Sequence, residues 1–94
     1  FLGLPFNILS YSVLTYLIAH ICGLKPKRLI VVMGNTHIYK NHIEQVKQQL
    51  SRGTYEFPKL LIKKNSSNID DYKLHDFEVV DYKHHPYIKA TMAV

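Results

Sequence analysis

The sequence predicts an α+β fold, a long buried helix packed on a mixed β-sheet. Three observations predict it. Residues 5–22 are a nearly unbroken apolar run with helical spacing, and residues 1–24 contain no Lys, Arg, Asp or Glu. Residues 29–33, 59–64 and 77–82 are short runs that read as strands. Residues 42–51 hold a second, short amphipathic helix. A length of 94 residues bounds the chain to one domain or part of one, with 47% hydrophobic and 20% charged residues, an ordinary globular composition.

In the long helix, Pro5 suits the first turn, where its missing N–H costs nothing. Leu14, Leu17, Ile18 and Ile21 follow the i, i+3, i+4, i+7 pattern, and Ile8, Tyr11, Val13 and Tyr16 make the other faces apolar as well. A helix apolar all round belongs at the centre of a larger protein. Its length is close to the ~20 residues that cross a bilayer. Against a membrane stand the missing basic n-region, the absence of basic anchors on the N-terminal side, and the interruptions at Pro5, Asn7, Ser10, Ser12, Thr15 and His20. Gly23 supplies the C-cap and Pro26 the stop.

Leu29 to Met33 reads as a buried strand. Asn41 and Glu44 have the spacing of a capping box for the second helix, whose apolar face is Ile43, Val46 and Leu50. Arg52-Gly53-Thr54 closes it. Residues 59–64 are a strand with Lys59 and Lys63-Lys64 at its ends, residues 65–68 a turn, and Ser67 with Asp70 a cap for one helical turn. Residues 77–82 are the last strand, and His84-His85-Pro86 opens an extended tail.

Charge is unevenly distributed. The net charge is +5. Residues 25–64 hold nine basic and two acidic side chains, and residues 65–94 hold three basic and five acidic. The basic middle suits phosphates or a solvated surface equally well. A single cysteine excludes an internal disulfide framework and a Cys-rich zinc module. It fits a reducing compartment, and a cytoplasmic location is the expectation.

Among candidate chemical groups, the six histidines lack the spacing of a zinc site, so no metal is expected. Cys22, at the end of the apolar helix, reads as a structural thiol rather than a nucleophile. Asp70 and Asp71 read as capping residues. His37 and Tyr39, two apart in an extended segment, share one side and offer an imidazole and a phenol to one ligand, a sugar hydroxyl for example, or else satisfy the backbone. Asn7 offers a donor and an acceptor side by side, which suits a flat heterocycle, or else it caps its helix.

Taken in order, Phe-Leu-Gly-Leu-Pro-Phe-Asn-Ile at 1–8, Thr-His-Ile-Tyr at 36–39 with Asn41-His42, Phe-Pro-Lys-Leu at 57–60, Asp76-Phe77 and Met-Ala-Val at 92–94 resemble thymidylate synthase. The resemblance spans the whole chain. It implies the C-terminal portion, about the last third, of a single catalytic domain in a homodimeric α+β enzyme. That enzyme methylates dUMP to dTMP with 5,10-methylenetetrahydrofolate as one-carbon donor and reductant, giving dihydrofolate. A cysteine attacks C6 of the uracil and makes C5 nucleophilic toward the methylene carbon, and hydride from the folate completes the methyl group.

The resemblance places no catalytic residue in this chain. The nucleophile, in a Pro-Cys-His motif, the phosphate-binding arginines and a folate-contacting aspartate are expected upstream of Phe1, and the chain alone is expected to be inactive. Asn7 corresponds to the asparagine at the pyrimidine edge. His37, Ile38 and Tyr39 correspond to the segment at the deoxyribose 3′-hydroxyl. Leu2, Gly3 and Phe6 correspond to folate-side contacts, and Ala93 and Val94 to the end that closes over the folate. Asn35 stands where many members carry aspartate and receives no role. A monofunctional enzyme and a fusion to dihydrofolate reductase are both compatible. A dCMP hydroxymethylase is disfavoured, because that sibling family carries aspartate at the position of Asn7. A basic nucleic-acid-binding module, including secondary RNA binding, is motivated by the charge alone and supported by no motif.

Overall fold

The computed structural model describes residues 1–92; Ala93 and Val94 lie outside the described residues. The first helix, α1, spans Leu4–Ile21 with Pro5 in its first turn. Gly3 is its N-cap, and the Gly3 carbonyl accepts from the Phe6 and Asn7 N–H groups at 3.1 and 3.2 Å. Two polar interruptions are silenced locally: the Ser12 and Thr15 hydroxyls each donate to the carbonyl four residues earlier, at 2.7 Å. The helix stops at Gly23, as expected. Gly23 has φ +65, its N–H donates to the His20 carbonyl at 3.2 Å, and the Leu24 N–H donates to the Ala19 carbonyl at 2.7 Å. This pair of bonds is a Schellman motif.

A 3-10 turn at Lys40–His42 leads into α2, Ile43–Leu50. The expected capping box does not form. His42, not Asn41, is the N-cap, and Glu44 instead pairs with Lys47 at 2.8 Å. The sheet consists of β1, Lys59–Ile62, and β2, Phe77–Val80, antiparallel, with Leu60 opposite Val79 and Leu61 opposite Glu78. Both strands are shorter than the sequence predicts. β2 ends where Asp81 turns left-handed, at φ 60. Beyond β1, the Lys63 N–H still reaches the Asp76 carbonyl at 2.8 Å, and Lys63 Nζ pairs with Glu78 at 2.6 Å. In the connection between the strands, Asn68, not Ser67, caps the 3-10 turn Ile69–Asp71, accepting from the Asp70 N–H at 3.1 Å.

Two expectations are not met among the described residues. The sheet is a two-stranded antiparallel ribbon, not a mixed sheet: residues 29–33 form no strand. They lie extended along the first half of α1, with Ile30 73% and Val32 90% exposed, because no second strand among the described residues offers them a ladder. Nor is α1 buried. It packs on β1 and on the 3-10 turn at Ile69–Asp71, which covers one stripe, and only Leu17 and Ala19 are buried. Two four-residue strands cannot cover a helix that is apolar all round.

Its C-terminal end is nevertheless pinned. His20 Nε2 donates to the Lys64 carbonyl at 2.8 Å, and the Tyr72 ring meets the His20 ring edge-on. The Tyr72 hydroxyl donates to the Ser66 carbonyl and accepts from the Ser66 N–H. The chain is open for its size. The radius of gyration is 16.4 Å, against about 12 Å for a compact domain of this length. Its accessible surface is 8381 Å², against roughly 5,600 Å² for a compact monomer of 11.0 kDa.

Candidate functional site

The residues singled out in the sequence fall around the N-terminal end of α1 and the segment that enters α2. Phe6 and Asn7 are neighbours on α1, turned roughly 100° apart around the helix axis. They line different grooves. Asn7 is exposed and faces a groove of about 400 Å³ with Leu4, Ile8, Tyr11 and residues 29–33. Gly3 occupies the N-cap position, so the Asn7 carboxamide is not the cap of its helix. Leu2 and Phe6 line a larger groove of about 670 Å³ whose walls include Tyr55, Phe57, Tyr82 and His85. Gly3 sits between them, and a Cβ built there meets nothing within 4 Å.

His37 and Tyr39 are brought together. Their rings are T-shaped with centroids 5.2 Å apart. His37 Nδ1 donates to the Asn35 carbonyl at 3.1 Å. In the neutral ring that leaves Nε2 as an acceptor. Tyr39 is half-exposed and its hydroxyl both donates and accepts. A ligand hydroxyl is matched by such a pair. Ile38 lies between them with more than half its surface exposed.

One residue received no role from sequence reasoning. His42 is 2% exposed, and no other polar or charged residue among those described is buried. Its ring lies 5.9 Å from that of Tyr39 and 5.7 Å from that of Phe1, so it joins the His37–Tyr39 pair to the end of the chain that carries Leu2. Its Nε2 donates to the Thr91 carbonyl at 2.6 Å. Its signals in the sequence were the Asn41-His42 motif and Gln45, one turn further along the same side of α2, a polar pair flanked by Ile43 and Val46.

Other candidates fall away from this region. Cys22 is free, and it is exposed rather than packed as a structural thiol. It lies at the far end of α1, about 24 Å along the helix from Phe6. His84 and His85 diverge, as adjacent residues in an extended chain do: His84 Nδ1 donates to the His85 carbonyl, and His85 Nε2 donates to the Gly53 carbonyl beside the Tyr55 ring. Part of the basic excess is occupied within the chain, Lys63 by Glu78 and Lys64 by the Asp71 carbonyl at 2.7 Å.

The family model for thymidylate synthase matches residues 1–94. The chain is 51% identical over 94 residues to the thymidylate synthase of Mycoplasma mobile, covering 33% of that protein. It is 55% identical over 93 residues to that of Homo sapiens, covering 30%, and 50% identical over 94 residues to that of Malacoplasma penetrans, covering 32%. The chain thus spans about a third of the length of these relatives. A match that runs from the first residue to the last, through the segments that hold Asn7, the His37–Tyr39 pair and His42, means that the chain belongs to the thymidylate synthase family.

Proposed function

We propose that this chain is the C-terminal portion of a cytoplasmic, homodimeric thymidylate synthase that converts dUMP to dTMP with 5,10-methylenetetrahydrofolate. The observation that carries the reading is identity of 50 to 55% over the full chain to proteins of that name. The chemistry of the motif residues adds support: an exposed carboxamide at Asn7 and a paired imidazole and phenol at His37 and Tyr39.

Asn7 presents a carboxamide to a groove, where its oxygen accepts from uracil N3–H and its nitrogen donates to O4. His37 Nε2 accepts from the 3′-hydroxyl of the deoxyribose, and the Tyr39 hydroxyl donates to the same oxygen. Ile38 spaces the two. Leu2, Gly3 and Phe6 face the folate, and the aromatic walls at Tyr55 and Phe57 fit a flat pterin and its benzoyl ring. Ala93 and Val94 close over it. When bound, the folate supplies the one-carbon unit and the hydride. The residues here bind, orient and exclude water, and the nucleophile comes from the part of the protein that the relatives possess beyond this third.

The test is dTMP formation by the full-length protein from dUMP and 5,10-methylenetetrahydrofolate, followed with the dihydrofolate produced. Equal amounts of both products support the reading. Product formed from dCMP and not from dUMP would move it to the hydroxymethylase sibling.

A further inference from the structure

The tail after Lys83 has no regular secondary structure, yet it is held at several points along α2 and the turn that follows. Arg52 Nη1 donates to the Pro86 carbonyl at 2.7 Å. Gln45 Nε2 reaches the Lys89 carbonyl at 3.4 Å, and His42 Nε2 the Thr91 carbonyl at 2.6 Å. As the tail advances from 86 through 89 to 91, its partners step back from 52 through 45 to 42. The tail therefore runs antiparallel to the helix.

The spacings agree in length. The seven residues from Gln45 to Arg52, helical as far as Leu50, rise about 10 Å. Three residues of extended chain from Pro86 to Lys89 span about 10 Å. One register therefore satisfies the Arg52 and Gln45 contacts at once, and it brings the Thr91 carbonyl, two residues on, to His42 at the N-cap of α2. All three acceptors are main-chain carbonyls, so from Pro86 to Thr91 these contacts hold the tail by its position and not by its side chains. His42 stands at the end of this ladder nearest the chain terminus, in ring contact with Phe1 and with Tyr39. Its Nδ1 and the Gln45 Oε1 are buried with no partner among the described residues. Buried groups of this kind are normally paired, so two acceptors left at the foot of the tail mark a place where donors from outside these residues arrive.

We propose that His42, Gln45 and Arg52 are positioning residues that set the register of residues 86–91 along α2 and thereby fix where the last residues of the chain fall. This deepens the thymidylate synthase reading, on which its catalytic consequence rests: the tail is delivered to the folate side of the site from an anchor that also touches the nucleotide side.

The experiment uses the full-length protein and three variants. His42→Phe keeps an aromatic ring beside Phe1 and removes the donor. His42→Gln restores a donor at similar reach. Arg52→Met releases the Pro86 end, at a half-buried site, and keeps the question decidable if His42→Phe does not fold. The first readout is the rate at which a carboxypeptidase releases the C-terminal residues, measured beside the thermal unfolding midpoint. Losing one such hydrogen bond predicts release faster by roughly threefold to tenfold for His42→Phe and Arg52→Met at an unchanged midpoint, with His42→Gln close to the parent. The second readout is the folate KM, expected to rise while dUMP affinity stays put. Release unchanged in His42→Phe and Arg52→Met, or faster only in step with a fallen midpoint, overturns the proposal. A parent protein that makes no dTMP overturns the functional reading instead, and the carboxypeptidase arm still decides the register.

Discussion

Five of the six histidines donate a ring N–H to a main-chain carbonyl, and what separates them is where the other nitrogen points. In His42 the second nitrogen is buried without a partner. In His37 it belongs to a ring at the surface, set edge-on to Tyr39. That difference suits His37 to a ligand and His42 to the scaffold. If His37 and Tyr39 hold the sugar, they act far from C5 and C6. In the full-length enzyme His37→Ala and Tyr39→Phe should each raise the dUMP KM several-fold, consistent with a lost hydrogen bond of about 0.5–1.5 kcal/mol, with a smaller fall in kcat. A kcat collapse at unchanged KM would make the pair acid–base groups. Asn7→Asp tests the pyrimidine edge. Cytosine reverses the donor and acceptor that uracil shows at N3 and position 4, so kcat/KM for dUMP relative to dCMP should fall steeply, by up to ~10⁴. A ratio that does not move removes Asn7 from base recognition. These residues stand out in the sequence because short local motifs carry them. The anchoring contact of His42 does not: its partner Thr91 is 49 residues away, and no local pattern encodes that distance.

At the scale of elements, the sequence was reliable where a local rule decides the conformation. Gly23 stops α1 because only a left-handed residue lets its own N–H and that of Leu24 reach back to the His20 and Ala19 carbonyls. Gly23→Ala leaves open space around the new Cβ, yet it should destabilise the full-length protein by about 1–2 kcal/mol through the backbone alone. Urea unfolding measures this, and no shift in the midpoint would mean that the helix end relaxes. Where an element depends on a neighbour, the sequence misled. Leu29 to Met33 has strand composition and no ladder partner among the described residues, and the capping-box spacing at Asn41 and Glu44 gave way to a 3-10 turn that places His42 at the N-cap. α1 was legible as a helix, but its burial was not, since apolarity on every face states a demand for neighbours and cannot say whether they are present.

That unmet demand governs the whole molecule. Helix α1 exposes large apolar residues on several faces, Phe6, Leu9 and Tyr11 among them. The surface in excess of a compact monomer, close to half as much again, is the area that other chain segments or a second subunit would cover. The 94 residues alone should therefore not form a stable monomer. Circular dichroism melts with mass measurement check this: a cooperative transition from a monomeric species at low micromolar concentration would show that the two short strands suffice.

The C-terminus carries the remaining whole-molecule prediction. Tyr87 to Val94 contains one charge, Lys89, and a short terminus of that kind normally frays. Here its path up to Thr91 is tied to α2. A tail held so close to its end can deliver its last residues to one place. If that place is the mouth of the folate groove, closure excludes water and affects only steps after nucleotide binding. Deleting Val94 from the full-length enzyme should then leave dUMP affinity within a few-fold and nearly abolish dTMP formation. Folate-free dehalogenation of a 5-halo-dUMP should persist, because that reaction needs the nucleophile and the nucleotide but no closed folate site. The three quantities belong in one experiment: loss of dehalogenation along with methylation would mean that the deletion damages the nucleotide site, and methylation at the parent rate would mean that the anchored tail ends without a catalytic task.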